Sequence, residues 1–244
     1  MSSTRQVTYA LNPTFFMRAH FQGNRNTMTN QLLNYAGKLF FLVFASALTL
    51  TAQAQNASTE KSALTPEERQ AAIKYLEETR QKVLDSLKDI SEAQWKFKSA
   101  PDRWSAAEVA EHIAVSEETL LGLVTDRVMK SPAAPEKKEA VKGKDELIRN
   151  SITNRSVKAQ APEMLKPTNR FKTREETIKS FNASRDKTIE YVKTTQDDLR
   201  SHFMAHPIFK DLDAYQWLLL LSGHSERHSL QILEVRADPN FPKK

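Results

Sequence analysis

The chain has 244 residues, 36 Lys or Arg against 30 Asp or Glu, a formal net charge of +6 and no cysteine. The missing cysteine excludes disulfides, thiolate metal ligands and a cysteine nucleophile, so any thiol chemistry needs a thiol from outside. Residues 1–54 hold Arg5, Arg18, Arg25 and Lys38 and no acidic residue, so the rest of the chain is close to neutral. There Lys and Arg are interleaved with Asp and Glu, as on solvated helix faces, and no basic stripe argues for a nucleic-acid partner.

An apolar block runs from Leu39 to Leu50, with Lys38 before it and Ala52-Gln53-Ala54 after it. A positive flank, a short apolar core and a small-residue site together read as a secretory signal peptide. The block is about 12 residues long, where a helix crossing a bilayer needs roughly 20. A retained anchor and a buried helix are the competing readings. Residues 1–27 show no periodicity and read as an over-long extension, with Met17 and Met28 as alternatives to Met1 for the true start. The predicted organisation is an extension over 1–27, a signal peptide over 28–54, a polar linker over 55–64 and one domain over 65–244. Cleavage near Ala54 would leave an exported protein, periplasmic or extracellular, with no stable membrane span. Its roughly 190 residues are enough for a single core.

Thr65-Pro66-Glu67-Glu68 is a capping box with proline at the first helical position. Ile73, Leu76, Val83, Leu87 and Ile90 follow on one stripe, which predicts a first helix over about 66–89. Ser91–Arg103 is a connection. Ser105-Ala106-Ala107-Glu108 is a second capping box, and Val109, Ile113, Ser116, Leu120, Leu123 and Val128 predict a second helix over about 105–130. Residues 131–144, rich in Lys, Glu, Pro and Ala, read as a mobile loop. A weak helix is predicted around 144–156. Thr173-Arg174-Glu175-Glu176 is a third capping box, opening a helix over about 173–196. His202–Lys210 reads as a loop. Asp213, with Gln216 placed to reach back, caps a last helix on which Trp217, Leu220, Leu221, His224, His228, Gln231 and Val235 share a face. No strand or hairpin signal competes. The fold class is all-α, four amphipathic helices in a bundle.

Residues four apart on a helix are neighbours, so His224 and His228 can chelate one metal as a pair. His112 lies about two turns into the second helix and borders its apolar stripe. A third ligand from a facing helix is how bundles build metal sites. Hydrogen-bonded core histidines would give the same pattern. His202 and His206 fall in the loop and are left out.

The segments Arg103-Trp104-Ser105 through His112-Ile113 and His206-Pro207 through His224-Ser225-Glu226-Arg227-His228-Ser229-Leu230-Gln231-Ile232, closed by Pro239-Asn240-Phe241-Pro242, resemble the DinB-like (DinB/YfiT-like) metalloenzyme superfamily. The similarity covers about residues 66–242. It implies an up-down-down-up bundle, whose long connection between the second and third helices residues 131–172 can supply. It also implies a divalent cation, zinc or nickel, on His112, His224 and His228. Many relatives carry glycine in the loop where this chain has Lys210.

Three imidazoles with an open fourth position can acidify a bound water to a pKa of about 7, or hold an external thiol as thiolate. Low-molecular-weight thiols are kept reduced in the cytosol, so export favours hydrolysis. The expected protein is thus a metal-dependent hydrolase acting on an unnamed small molecule. The alternatives are a thiol-dependent transferase or isomerase, and a non-catalytic metal-binding bundle. A homodimer stays open. No general base stands out, because Glu111 is turned about 100° from His112 on the helix and Glu108 belongs to the capping box. Ser116 and Gln231 lie on the histidine faces and are candidates to hydrogen-bond the imidazoles from behind. Trp104 reads as a packing residue.

Overall fold

The computed structural model describes residues 63–157 and 160–243. The expected extension, the signal peptide and most of the linker lie outside them. Leu64, counted with the linker, is buried in the core.

Helix α1 spans Pro66–Ser86 and opens on the expected capping box. Thr65 Oγ1 accepts from Glu68 N at 3.1 Å, and the Glu68 carboxylate accepts from Thr65 N at 2.9 Å. A short helix α2, Glu92–Lys96, interrupts the connection that follows, capped in the same way by Ser91 and Gln94. It buries Trp95, and Gln94 Nε2 donates to the Pro242 carbonyl at 2.7 Å, tying down the C-terminal segment. Helix α3 spans Ala106–Leu123 and runs on through a π-helical turn, Val124–Val128. Helix α4 is Lys144–Ser151, helix α5 Arg174–Thr194 and helix α6 Ala214–Arg236. The box at α5 is only half formed. Thr173 accepts from Glu176 N, but the Glu176 carboxylate turns to Lys172 N at 2.8 Å.

The cross-helix contacts fix the topology. Glu68–Tyr215, Thr79–Ser222 and Ser86–Arg236 run in step, so α1 and α6 are parallel. Arg69 reaches the Val192 carbonyl and Arg174 the Ile90 carbonyl, so α1 and α5 are antiparallel. On α3, Glu117 meets Ser225, whereas the earlier His112 lies against the later His228, so α3 opposes α6. The four long helices are therefore up, down, down, up, as the resemblance implied.

The core falls into two apolar clusters. One gathers Leu76, Val124, Val192 and Leu218–Leu221, the other Val83, Val109, Ile113, Phe181 and Ile232. Between them α6 carries the polar run Ser222–Gln231. Part of that gap is filled by a fully buried ion pair, Glu117 on α3 with Arg185 on α5. Arg185 Nε donates to Glu117 Oε2 at 2.8 Å and Nη2 to Oε1, while Nη1 donates to the Leu76 carbonyl and to Thr79 Oγ1 on α1. Ser225 of α6 donates to Glu117 Oε1. All four helices are thus joined by one network. At the other end Arg200 holds Glu68, Asp145 and Asp213, tying together the first turns of α1, α4 and α6.

Two expectations need correction. His202–Lys210 is no plain loop: strands β1, Phe203–His206, and β2, Lys210–Asp213, form an antiparallel hairpin. Four-residue strands are too short to show alternation, and the pairing is held from outside, as by Trp217 Nε1 donating to the Met204 carbonyl at 3.2 Å. Residues 131–144 are also pinned. Ala134 N donates to the Ser201 carbonyl at 2.7 Å, Val141 is buried, and Lys144 Nζ reaches the carbonyls of Phe209 and Asp211.

Lys210 has φ +60° at the start of β2, where the hairpin turn ends. A side chain costs roughly 1–2 kcal/mol in that left-handed region, where glycine sits without strain. Lys210→Gly should therefore stabilise the protein, by about 0.5–1 kcal/mol once glycine's greater unfolded-state freedom is deducted. Arg185→Ala, which strands the Glu117 carboxylate in the core, should cost about 3–5 kcal/mol. Urea unfolding of the two variants measures both, and a loss under 1 kcal/mol for Arg185→Ala would contradict the role given to the ion pair.

Candidate metal centre

Helix α3 presents His112 two turns after its cap, and α6 presents His224 and His228 one turn apart, all into the gap between the apolar clusters. One ring nitrogen from each lies within 4.8 Å of the other two. His112 Nε2 and His224 Nε2 are 3.3 Å apart. Ring centroids stand 5.0 Å apart for His112–His224, 4.5 Å for His112–His228 and 4.4 Å for His224–His228. Nitrogens bound about 2.0–2.1 Å from one tetrahedral ion lie about 3.3 Å apart, so the His112–His224 separation matches a shared cation and His228 is close enough to join it.

The rings are in the form a cation needs. Burial pushes the His112 pKa below its ordinary value, although the Leu165 carbonyl works the other way. Burial first, then the neighbouring His112, lowers His224 to about 3. Burial and the two other histidines hold His228 well below 6.5. All three are neutral at pH 7, which frees one nitrogen lone pair on each.

The outer nitrogens differ. His112 Nδ1 donates to the Leu165 carbonyl at 2.8 Å. A carbonyl only accepts, so Nδ1 carries the proton and Nε2 the lone pair. His228 Nδ1 lies 2.8 Å from Gln231 Oε1, where Gln231 was expected to act. His224 Nδ1 is buried without a hydrogen-bond partner among the described residues. The Ser116 hydroxyl is buried and likewise unpartnered, so it supports none of the rings directly. With Nε2 of His112 unprotonated, the opposed His224 Nε2 has two options: donate its proton there, or share a cation. Either choice leaves its Nδ1 without a partner.

Trp104 packs its ring 5.1 Å from that of His112 and walls the site. His112 is buried, whereas His224 and His228 are half-buried, so the α6 side of the cluster lies nearer to solvent. The nearby carboxylates are engaged. Glu108 completes the cap of α3. Glu117 pairs with Arg185. Glu111 accepts from Thr168 N at 2.7 Å, Thr168 Oγ1 at 3.3 Å and Arg170 N at 3.2 Å. Its turn away from His112 thus points it at the crossover, and pinning Thr168 and Arg170 seats Leu165 over His112.

The other two described histidines are structural. His202 Nδ1 donates to the Ser131 carbonyl at 2.7 Å. His206 Nδ1 accepts from Ile208 N and Phe209 N, closing its own hairpin turn. Their geometry is fixed, contrary to the loop reading, but neither joins the cluster. Sequence reasoning missed Leu165, which acts through its backbone and offers no side-chain signal.

A four-helix bundle with a three-histidine cluster between two of its helices defines a bundle able to bind a divalent metal. The sequence matches the family model of the DinB superfamily over residues 75–232, and the chain belongs to that superfamily. It is similar to the uncharacterized protein YuaE of Bacillus subtilis (strain 168), with 23% identity over 159 residues, covering 65% of this chain and 93% of that protein.

Charge-assisted hydrogen bonds such as those to Glu111 are each worth about 1.5–3 kcal/mol. Removing them with Glu111→Ala should speed amide exchange at Thr168 and Arg170 roughly tenfold or more. Hydrogen-exchange NMR reads this directly, and unchanged rates at both amides would contradict the anchoring.

Proposed function

We propose that the chain is an exported, metal-dependent hydrolase that holds zinc or nickel on His112, His224 and His228. The observation that carries the metal reading is the convergence of three neutral imidazoles from two helices within 4.8 Å. Nitrogen ligands without a carboxylate suit zinc or nickel better than magnesium or calcium. The cluster has three members rather than four, and two are half-buried, the pattern of a site that keeps a position open for a substrate. When bound there, a divalent ion supplies Lewis acidity, enough to polarise a carbonyl or to acidify water.

The chain's own residues supply placement. Leu165 holds the His112 ring, Gln231 contacts the His228 ring, and Trp104 excludes water on the buried side. Export is supported by the Lys38, Leu39–Leu50 and Ala52-Gln53-Ala54 pattern, and it favours water over a low-molecular-weight thiol as the nucleophile. Among the described residues no helix is long and apolar enough to cross a membrane.

Metal analysis of the purified protein tests the reading. Near-stoichiometric zinc or nickel is expected, with His228→Ala losing affinity by about 100-fold or more, since even partners behind a ligand are worth 10–100-fold. Absence of metal from protein supplied with both ions would refute the site. Cobalt-substituted protein should show an exchangeable water. A cobalt spectrum that responds to added thiols and not to water exchange would replace the hydrolase with the thiol-dependent transferase or isomerase. A closed coordination sphere would leave a structural metal.

A further inference from the structure

We propose that Arg155, just after α4, is a positioning residue that fixes the ring state of His228 through Gln231, so that His228 turns an unprotonated Nε2 toward His112 and His224. Arg155 Nη1 lies 3.3 Å from Gln231 Oε1. A guanidinium has donors and no acceptor, and it stays charged. The amide atom facing it must therefore be the oxygen. In most glutamines the oxygen and nitrogen can be exchanged by a flip of the amide. Here the flip would set an NH2 donor against a guanidinium donor, so Arg155 forbids it.

The same Oε1 lies 2.8 Å from His228 Nδ1. An amide oxygen only accepts, so Nδ1 must carry the hydrogen. In a neutral imidazole that leaves the lone pair on Nε2. A flipped Gln231 would invert this: Nδ1 would accept, and Nε2 would present an N–H to the other two histidines.

Arg155 is itself held on both sides. Its Nε donates to Glu234 Oε1 at 2.7 Å and its Nη2 to Glu234 Oε2 at 2.8 Å, a two-point grip that aims Nη1 at Gln231. Arg227 donates to the carbonyls of Ile152 and Asn154 and so straps the backbone beside Arg155 onto α6. His228, Gln231 and Glu234 are spaced by three along α6, so each lies beside the next. Arg155 alone comes from outside that helix. His112 needs no such device, because a backbone carbonyl cannot flip.

The purpose of the device rests on the metal reading above, but the ring state belongs to the metal-free chain and can be measured there. Long-range proton–nitrogen NMR of the histidine rings in the whole metal-free protein should show His228 protonated on Nδ1. Arg155→Leu should shift it toward Nε2 protonation or a mixture. Adding Gln231→Glu to Arg155→Leu should restore Nδ1 protonation, because a carboxylate accepts whichever way it turns. Cobalt affinity should fall roughly 10–100-fold in Arg155→Leu and recover in the double variant.

Nε2 protonation of His228 in the wild-type protein overturns the proposal, and that result needs no variant to fold. An unchanged ring state in a folded Arg155→Leu protein overturns it too. If wild-type protein takes up no metal while His228 is protonated on Nδ1 in the Arg155-dependent way, the metal reading fails and this one stands.

Discussion

The bundle is organised around a charge pair that has no access to water. Glu117 and Arg185 sit at the centre of four helices, where an unpaired charge would be very costly. Leu76 and Thr79 of α1 and Ser225 of α6 add further hydrogen bonds to the pair. A buried pair of this kind adds little net stability compared with apolar packing, but breaking it is expensive. What it contributes is alignment: sliding any one helix by a turn would leave a donor or a carboxylate unmet. Ser225 adjoins His224, and Glu117 is five residues past His112, so the same alignment brings the three imidazoles into one gap.

The gap exists because α6 changes character along its length. Its first turns are almost continuously apolar and fully buried, its middle is polar, and Ile232 and Val235 resume the core. A polar middle would be a defect in an ordinary bundle. Here it houses three rings kept neutral by burial, with one face half-open. The groups behind two of the rings are specific: a backbone carbonyl for His112 and an amide oxygen for His228. Both depend on the crossover between α3 and α5, through Leu165 in one case and Arg155 in the other.

The helices were legible in the sequence because their signals are local. The capping boxes at Thr65, Ser105 and Asp213 are all formed, and the periodic stripes lie where the core is. The three histidines were legible because spacing by four places two of them on one face and His112 borders the apolar stripe of a facing helix, a set that the family pattern then matched. The hairpin was not, since its pairing depends on contacts that no four-residue window contains. Glu117 and Arg185 were not, since a charged residue on a helix reads as solvated unless its partner, 68 residues away, is known. Glu111 was placed correctly as turned from His112, but what it turns toward is a stretch of crossover backbone without periodicity. Gln231 was legible as a neighbour of His228, while Arg155, at the end of a weakly predicted helix that stops at Ser151, gave no sign of its partner on α6.

The crossover has a consequence for how such proteins diversify. The imidazoles ride on long helices whose register is locked by the central network, so their mutual spacing is insulated from change elsewhere. The Leu165 carbonyl behind His112, and the Arg155 that holds Gln231 behind His228, ride instead on a connecting segment of the kind that tolerates insertion and substitution. Inheritance can therefore rewrite the outer contacts while leaving the bundle intact. Two chains with superimposable helices and the same three histidines can then differ in metal preference or reactivity, and the crossover is the stretch to compare when separating them.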